Sequence, residues 1–224
     1  MQQKGIASSI NKSQGKLRVV NNILSLIICI LCLYVIIAPI VPTISSYWYN
    51  KMDQSKGLKY KGQLAKQSGI DSSKLQPTPK VNTIVIPSIG VDGEVIVSPD
   101  PSSLDRGIWH RPNTSTPDKG GNTVMAAHRF QYTSGPKTFY NLNKLKVGDK
   151  ITVFWYNSKN TGYEYIYEVN KSFIVPPTAV EIENQTSKEN ILTLFTCTPL
   201  WTAKDRLVVT AKLLDKYEIN KNNT

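Results

Sequence analysis

Between residues 82 and 213 the apolar residues come in short bursts that suit strands and rarely suit helices. Seven runs carry this texture: residues 83–86, 94–97, 122–127, 151–156, 163–169, 191–196 and 206–213. They are rich in Val, Ile, Thr, Tyr and Phe, whose side chains fit a pleated, half-buried surface. Turn chemistry such as Gly148-Asp149 and Asn160-Thr161-Gly162 stands between some of them. Residues 138–145 suggest one short helix. Many short strands with few helices predict a mainly β domain, a closed or nearly closed barrel.

A different rule governs the chain upstream. Residues 19–50 contain no Asp, Glu, Lys or Arg, and the apolar centre, residues 23–41, is long enough to cross a hydrocarbon layer of about 30 Å. Lys4, Lys12, Lys16 and Arg18 precede it, which favours an N-terminus in the cytoplasm and a C-terminal domain outside. The rival is a cleaved signal peptide, but the run exceeds a usual signal core and no small-x-small cleavage site follows. The expected organisation is therefore a cytoplasmic basic N-terminus (1–18), a single-pass transmembrane signal-anchor (19–44), a stalk (45–80), a catalytic β-barrel (81–215) and a polar tail (216–224). The stalk is rich in Lys, Gln, Ser and Gly, with a short helix expected around residues 58–67.

A formal charge of +11 raises the question of nucleic acid. The lysines are scattered, and no arginine-rich helix, zinc spacing or aromatic RNA-binding motif accompanies them, so no nucleic-acid partner is expected. A basic surface outside the cell suits anionic wall polymers or lipid headgroups. Of three cysteines, Cys29 and Cys32 lie within the apolar span, where a redox or zinc role would lack polar companions. That leaves Cys197 as an unpaired thiol, reactive or buried and inert.

Cys197 ends the β-type run Thr193-Leu194-Phe195-Thr196-Cys197, and Arg206 opens the next such run nine positions later. If residues 198–205 connect antiparallel strands, the guanidinium returns within reach of the thiol. The chain has two histidines. His128 follows a strand-like run and is the favoured base, whereas His110, beside a proline-rich turn, suits packing better than catalysis. Each residue type has a task. Thiolate is the attacking form, yet a free thiol with a pKa of about 8.5 is mostly protonated at neutral pH, so a base is needed. An imidazole can take that proton and later return it to a departing amine. A guanidinium can donate to the oxyanion that forms on acylation; Arg206 is the first candidate and Arg129 a competitor. Histidine before cysteine excludes the papain order. Thr198-Pro199 after the cysteine excludes the L,D-transpeptidase context. Glu181, Glu183 and Glu189 read as a solvated loop rather than a calcium site, and neither metal nor cofactor is expected.

These residues resemble the sortase family. Thr193-Leu194-Phe195-Thr196-Cys197 is similar to its TLxTC signature, Ala127-His128-Arg129 after Gly121-Asn122 resembles its histidine segment, and Arg206 stands at a family-like position. The resemblance runs from about Ile84 to Leu213. It implies an eight-stranded sortase-type β-barrel with short helices, and a cysteine transpeptidase cleaving an LPxTG-like sorting signal between Thr and Gly. His128 would be the acid/base, Cys197 the nucleophile and Arg206 the carbonyl or oxyanion donor. Thr196 would help position substrate, as would Val175, Pro176, Pro177, Val180 and Ile182 in the loop before the cysteine strand. Implied partners are sorting-signal-bearing surface proteins or pilins and an amine acceptor such as a peptidoglycan precursor. Thr196-Cys197-Thr198-Pro199 is similar to class C enzymes, while residues 201–206 resemble class E, and class D is a further alternative; a lidless housekeeping type is favoured. The alternatives are a non-catalytic sortase-like binding or assembly domain and a purely hydrolytic cysteine peptidase.

Overall fold

The computed structural model describes residues 2–38, 40–41, 44, 60, 62–67, 69, 71, 76–130, 135–157, 161–185 and 189–219. The chain divides into two units, Met1–Ser45 and Ser46–Thr224. The first holds helix α1, Gln2–Ile37. Within it Leu17–Ile37 is a 21-residue stretch of mean hydropathy 2.6 with no buried side chains. At 1.5 Å per residue it is long enough to cross a bilayer core. The sequence brings Pro39 and Pro42 just past the helix end, residues without the amide donor a helix requires.

The second unit is a closed barrel of eight strands. In chain order these are β1 (Thr83–Ile86), β2 (Val91–Val97), β3 (Ile108–His110), β4 (Gly121–Ala126), β5 (Lys150–Tyr156), β6 (Gly162–Val175), β7 (Asn190–Thr198) and β8 (Asp205–Glu218). Around the barrel the order is β1-β2-β3-β4-β7-β8-β6-β5. The β2–β3 and β4–β7 pairs are parallel, and the others antiparallel. Seven of the strands overlap the expected runs; β3 does not. Its three residues, Ile108, Trp109 and His110, are all buried and sit in parallel register with Val95, Ile96 and Val97. Three residues are too few for alternation to show.

Side chains alternate across each strand. Leu192 and Leu194 of β7, Met125 of β4, and Leu207, Val209 and Ala211 of β8 enter one continuous core with Tyr165, Tyr167 and Trp155. The residues between them face outward. The expected helix at 138–145 is instead a 3-10 turn, Leu142–Lys144, next to a second one, Gly135–Lys137. Phe139, Leu142 and Leu145 are buried at intervals of three, the period of a 3-10 helix and not of an α-helix.

Described residues ahead of the barrel are fastened to it. Tyr60 packs edge-on against Phe154, with ring centroids 5.9 Å apart, and its hydroxyl donates to Asp92 Oδ1 at 3.2 Å. The short helix Gln63–Gln67 starts with the Gln63 amide donating to Glu164 Oε2 at 2.7 Å. Tyr156 donates its hydroxyl to Pro79 O. At the other end β8 continues to Glu218, into the segment expected as a tail.

Candidate active site

The site is a row of outward residues at one end of the barrel. In the β7–β8 ladder Cys197 stands directly opposite Arg206, and in the β6–β8 ladder Arg206 stands opposite Val175. Directly opposed residues share a face, so Val175, Arg206 and Cys197 form one line across three strands. The line extends to β4 through the parallel register Met125↔Leu194 and Ala126↔Phe195. The Ala127 amide donates to Phe195 O at 3.4 Å, which carries this register one step past the end of β4. His128 is the next residue along the chain, and Cys197 is its counterpart at the same sequence offset. The guanidinium thus reaches the thiol's strand by strand return, and the imidazole follows the strand next to it.

Several inner contacts fix this geometry. Thr196, 2% exposed, points inward, and its hydroxyl donates to Ala127 O at 2.8 Å. The residue before the cysteine is thereby tied to the residue before the histidine. The Phe139 amide donates to His128 O at 2.9 Å and holds the chain as it leaves the strand. Arg129 reaches the other way. Its Nη1 donates to Thr198 Oγ1 at 3.2 Å and Cys197 O at 3.4 Å, its Nε to Tyr140 O at 3.0 Å, and its Nη2 to Asn143 Oδ1 at 2.9 Å. Burial lowers the Arg129 pKa from its usual high value, an effect opposed by Tyr140 and Cys197. Arg129 is thus a bracket between the histidine turn and the cysteine strand. Its adjacency to His128 was the only sequence signal for that role.

Arg206 is committed differently. Its Nη1 donates to Ala203 O and Asp205 O, both at 3.1 Å. Among the described residues these bonds use Nη1 alone, leaving Nε and Nη2 available to an acceptor beside Cys197. The β7–β8 connection includes a cis Thr198–Pro199 bond, and Trp201 and Ala203 have positive φ. Trp201, 58% exposed, meets Phe130 edge-on at 5.2 Å, so an aromatic pair joins the two loops that follow the thiol and the imidazole. His128 Nε2 lies 2.9 Å from Asp105 Oδ1, a contact sequence spacing did not suggest.

The other residues singled out from the sequence have their own surroundings. His110 is 6% exposed, its Nε2 is 2.8 Å from Ser115 O, and its ring lies 5.7 Å from that of Trp155. Pro176 and Pro177 are exposed just after Val175; Val180 is exposed and Ile182 half-buried on the 3-10 turn Val180–Glu183. The Asn122 amide nitrogen donates to Ile182 O at 2.9 Å and Asn184 O at 3.1 Å, which pins this loop to β4. Glu183 accepts from Arg111 Nε at 2.7 Å, and Glu189 pairs with Lys212 at 3.1 Å. A cleft of about 410 Å³ opens beside them, lined by Pro99, Pro101, Trp109, Arg111 and Glu183 among others.

The sortase-domain family model matches residues 84–214. The sortase SrtE2 of Streptomyces coelicolor is 31% identical over 120 residues, 49% of this chain and 43% of that protein. Sortase D of Bacillus subtilis is 24% identical over 151 residues, 67% of this chain and 64% of that protein. The chain thus spans under two thirds of the length of these curated relatives. Among solved structures, sortase C1 from Streptococcus agalactiae aligns with a TM-score of 0.53 and 28% identity, covering 60% of this chain and 67% of that one. A Clostridium perfringens sortase D5 transpeptidase aligns with a TM-score of 0.51 and 27% identity, covering 76% of this chain and 99% of that one. A domain match over more than half of the chain, on a closed barrel of eight strands, makes this chain a member of the sortase family.

Proposed function

We propose that this protein is a membrane-anchored cysteine transpeptidase with Cys197 as nucleophile, His128 as acid/base and Arg206 as oxyanion donor. The observation that carries the reading is the register Cys197↔Arg206, supported by the position of His128 just past the end of the strand paired with β7. His128 takes the thiol proton, and Cys197 Sγ attacks the Thr carbonyl of an LPxTG-like sorting signal. Arg206 N–H groups donate to the oxygen as it gains charge. Collapse breaks the Thr–Gly bond, His128 gives its proton to the departing glycine amine, and a thioester remains. An acceptor amine, on a wall precursor or a pilin, then attacks the thioester, transfers a proton to the imidazole and leaves with the new amide bond. The substrates are surface proteins or pilins carrying the signal. Val175, Pro176, Pro177, Val180 and Ile182 form the wall for it, and Thr196 acts by aligning the two strands. Helix α1 anchors the chain with its N-terminus in the cytoplasm and the barrel outside. The enzyme is a lidless housekeeping type, and similarity to SrtE2 supports the class E-like reading.

The full chain in detergent micelles should cleave an LPxTG-type peptide and transfer the acyl part to an added primary amine. Cys197→Ala and His128→Ala should abolish both steps, and Arg206→Ala should lower kcat about a hundredfold. Hydrolysis alone, even with excess amine, would identify a peptidase. Full activity in Cys197→Ala would remove the chemistry from this site.

A further inference from the structure

We propose that Asp105 is a positioning residue for His128: its carboxylate accepts a hydrogen bond from Nε2–H and leaves Nδ1 as the nitrogen that exchanges a proton with Cys197. The inference rests on the roles proposed above for Cys197 and His128.

The contact is direct, with Asp105 Oδ1 2.9 Å from His128 Nε2. A carboxylate oxygen can only accept, so the ring nitrogen facing it carries the hydrogen. The second ring nitrogen is then bare in the neutral imidazole and can act as the base. One proton moves from Cys197 Sγ to Nδ1 as the C–S bond forms, and the same proton leaves Nδ1 for the departing amine. Asp105 holds the ring in place while the ring's charge changes, the job of an orienting acid beside a catalytic imidazole.

Asp105 is well placed for this because the turn bearing it is fixed at both ends. The 3-10 helix Pro101–Arg106 begins with proline, and Asp100 caps it by accepting from the Ser102 amide at 2.9 Å. Ser103 is fully buried and accepts from Arg106 Nη2 at 2.9 Å, which pins the end of the turn. Gly107, at φ 151, then leads into β3. The Asp105 side chain is 72% exposed and that of His128 32%. An exposed pair of this kind adds little to fold stability, so Asp105 can be removed without unfolding the barrel.

The test uses the full chain labelled with 15N-histidine, in a Cys197→Ala background that removes the thiol as proton partner. With two histidines, His128→Gln assigns the spectrum. His128 should carry its hydrogen on Nε2. Asp105→Ala should return the ring to the mixture of a free imidazole, and Asp105→Asn, which keeps an accepting oxygen, should preserve the Nε2–H form. With Cys197 present, Asp105→Ala should lower kcat about fivefold, the size expected for an exposed pair. KM should stay within about twofold and Asp105→Asn should restore turnover. A hydrogen on Nδ1 in the parent, a tautomer ratio unmoved by Asp105→Ala, or an unchanged kcat overturns the proposal. If Cys197→Ala retains transpeptidase activity, the catalytic assignment fails. The spectrum still reports separately whether Asp105 sets the tautomer.

Discussion

Protonation and folding meet at His110. Burial lowers its pKa, against a smaller opposing effect of its bond to Ser115 O. The unfolded chain binds a proton at this residue near the ordinary histidine value of about 6.5, and the folded chain resists it. Because the unfolded state then holds more protons, stability rises with pH through this window and falls as pH drops below about 6.5. Urea titrations at pH 7.5 and pH 5.0 should show a loss of stability that shrinks in His110→Gln. An equal loss in both proteins would clear His110 of the effect. Thr196 gives a second residue-level prediction. Thr196→Val keeps the shape but removes the buried bond to Ala127 O, and should cost about 1 kcal/mol in urea unfolding. The bond ties the histidine turn to the cysteine strand, so kcat should fall while KM holds; a KM change alone would make Thr196 a substrate contact instead. Cys197 was legible in the sequence because it is the one thiol outside the apolar span, and His128 because it follows a clear strand. The inward turn of Thr196 and the reach of Asp105 across 23 positions were not legible. Both depend on register and on the curl of a short turn.

At the scale of elements, the sequence revealed strands long enough to repeat a pattern. β1 and β5 carry uniform apolar runs that stand out between turns, whereas β3 owes its place to its neighbours, β2 in parallel and β4 antiparallel. That short strand matters, because it delivers Arg111 to the loop ahead of the cysteine strand. The Arg111 guanidinium lies 4.5 Å from the Trp109 ring centre and donates through Nε to Glu183 at 2.7 Å. Gln185 adds bonds to the Ser115 and Asn122 amides, both at 3.2 Å. The loop is thus clamped to the barrel by an ion pair through Glu183, a residue expected from the sequence to stand in a solvated loop. Arg111→Ala should leave kcat nearly unchanged and raise KM about threefold to tenfold, since a loosened wall loses uniform binding. The parent KM should also rise between 50 and 500 mM NaCl as salt screens this half-exposed pair, on the order of a twofold effect. A KM indifferent to both Arg111→Ala and salt would show that the clamp does not shape the substrate wall.

Across the whole molecule, the two units show opposite patterns of apolar exposure. Leu17–Ile37 exposes its large apolar side chains on every side, which suits lipid, whereas the barrel turns Ile84, Val153, Leu192, Leu194 and Val209 fully inward. The apolar helix was the most legible part of the chain, because an uncharged stretch is a matter of composition and needs no register. The closed barrel followed from strand number and turn spacing, but its order, with β7 between β4 and β8, depends on pairings distant in sequence. The proposed orientation can be tested with the chain's own thiols. Cys29 and Cys32 fall within Leu17–Ile37, and Cys197 lies outside it, half-buried at the barrel surface. A maleimide that cannot cross membranes should label intact cells at one site per chain, and Cys197→Ser should abolish that label. Prior treatment with an LPxTG-type peptide should slow it by occupying the thiol as thioester. Labelling that occurs only after the cells are opened would place the barrel on the cytoplasmic side and overturn the assigned orientation. Labelling in intact cells that persists in Cys197→Ser would instead mean that the apolar helix leaves its cysteines in water, so that it does not span the bilayer.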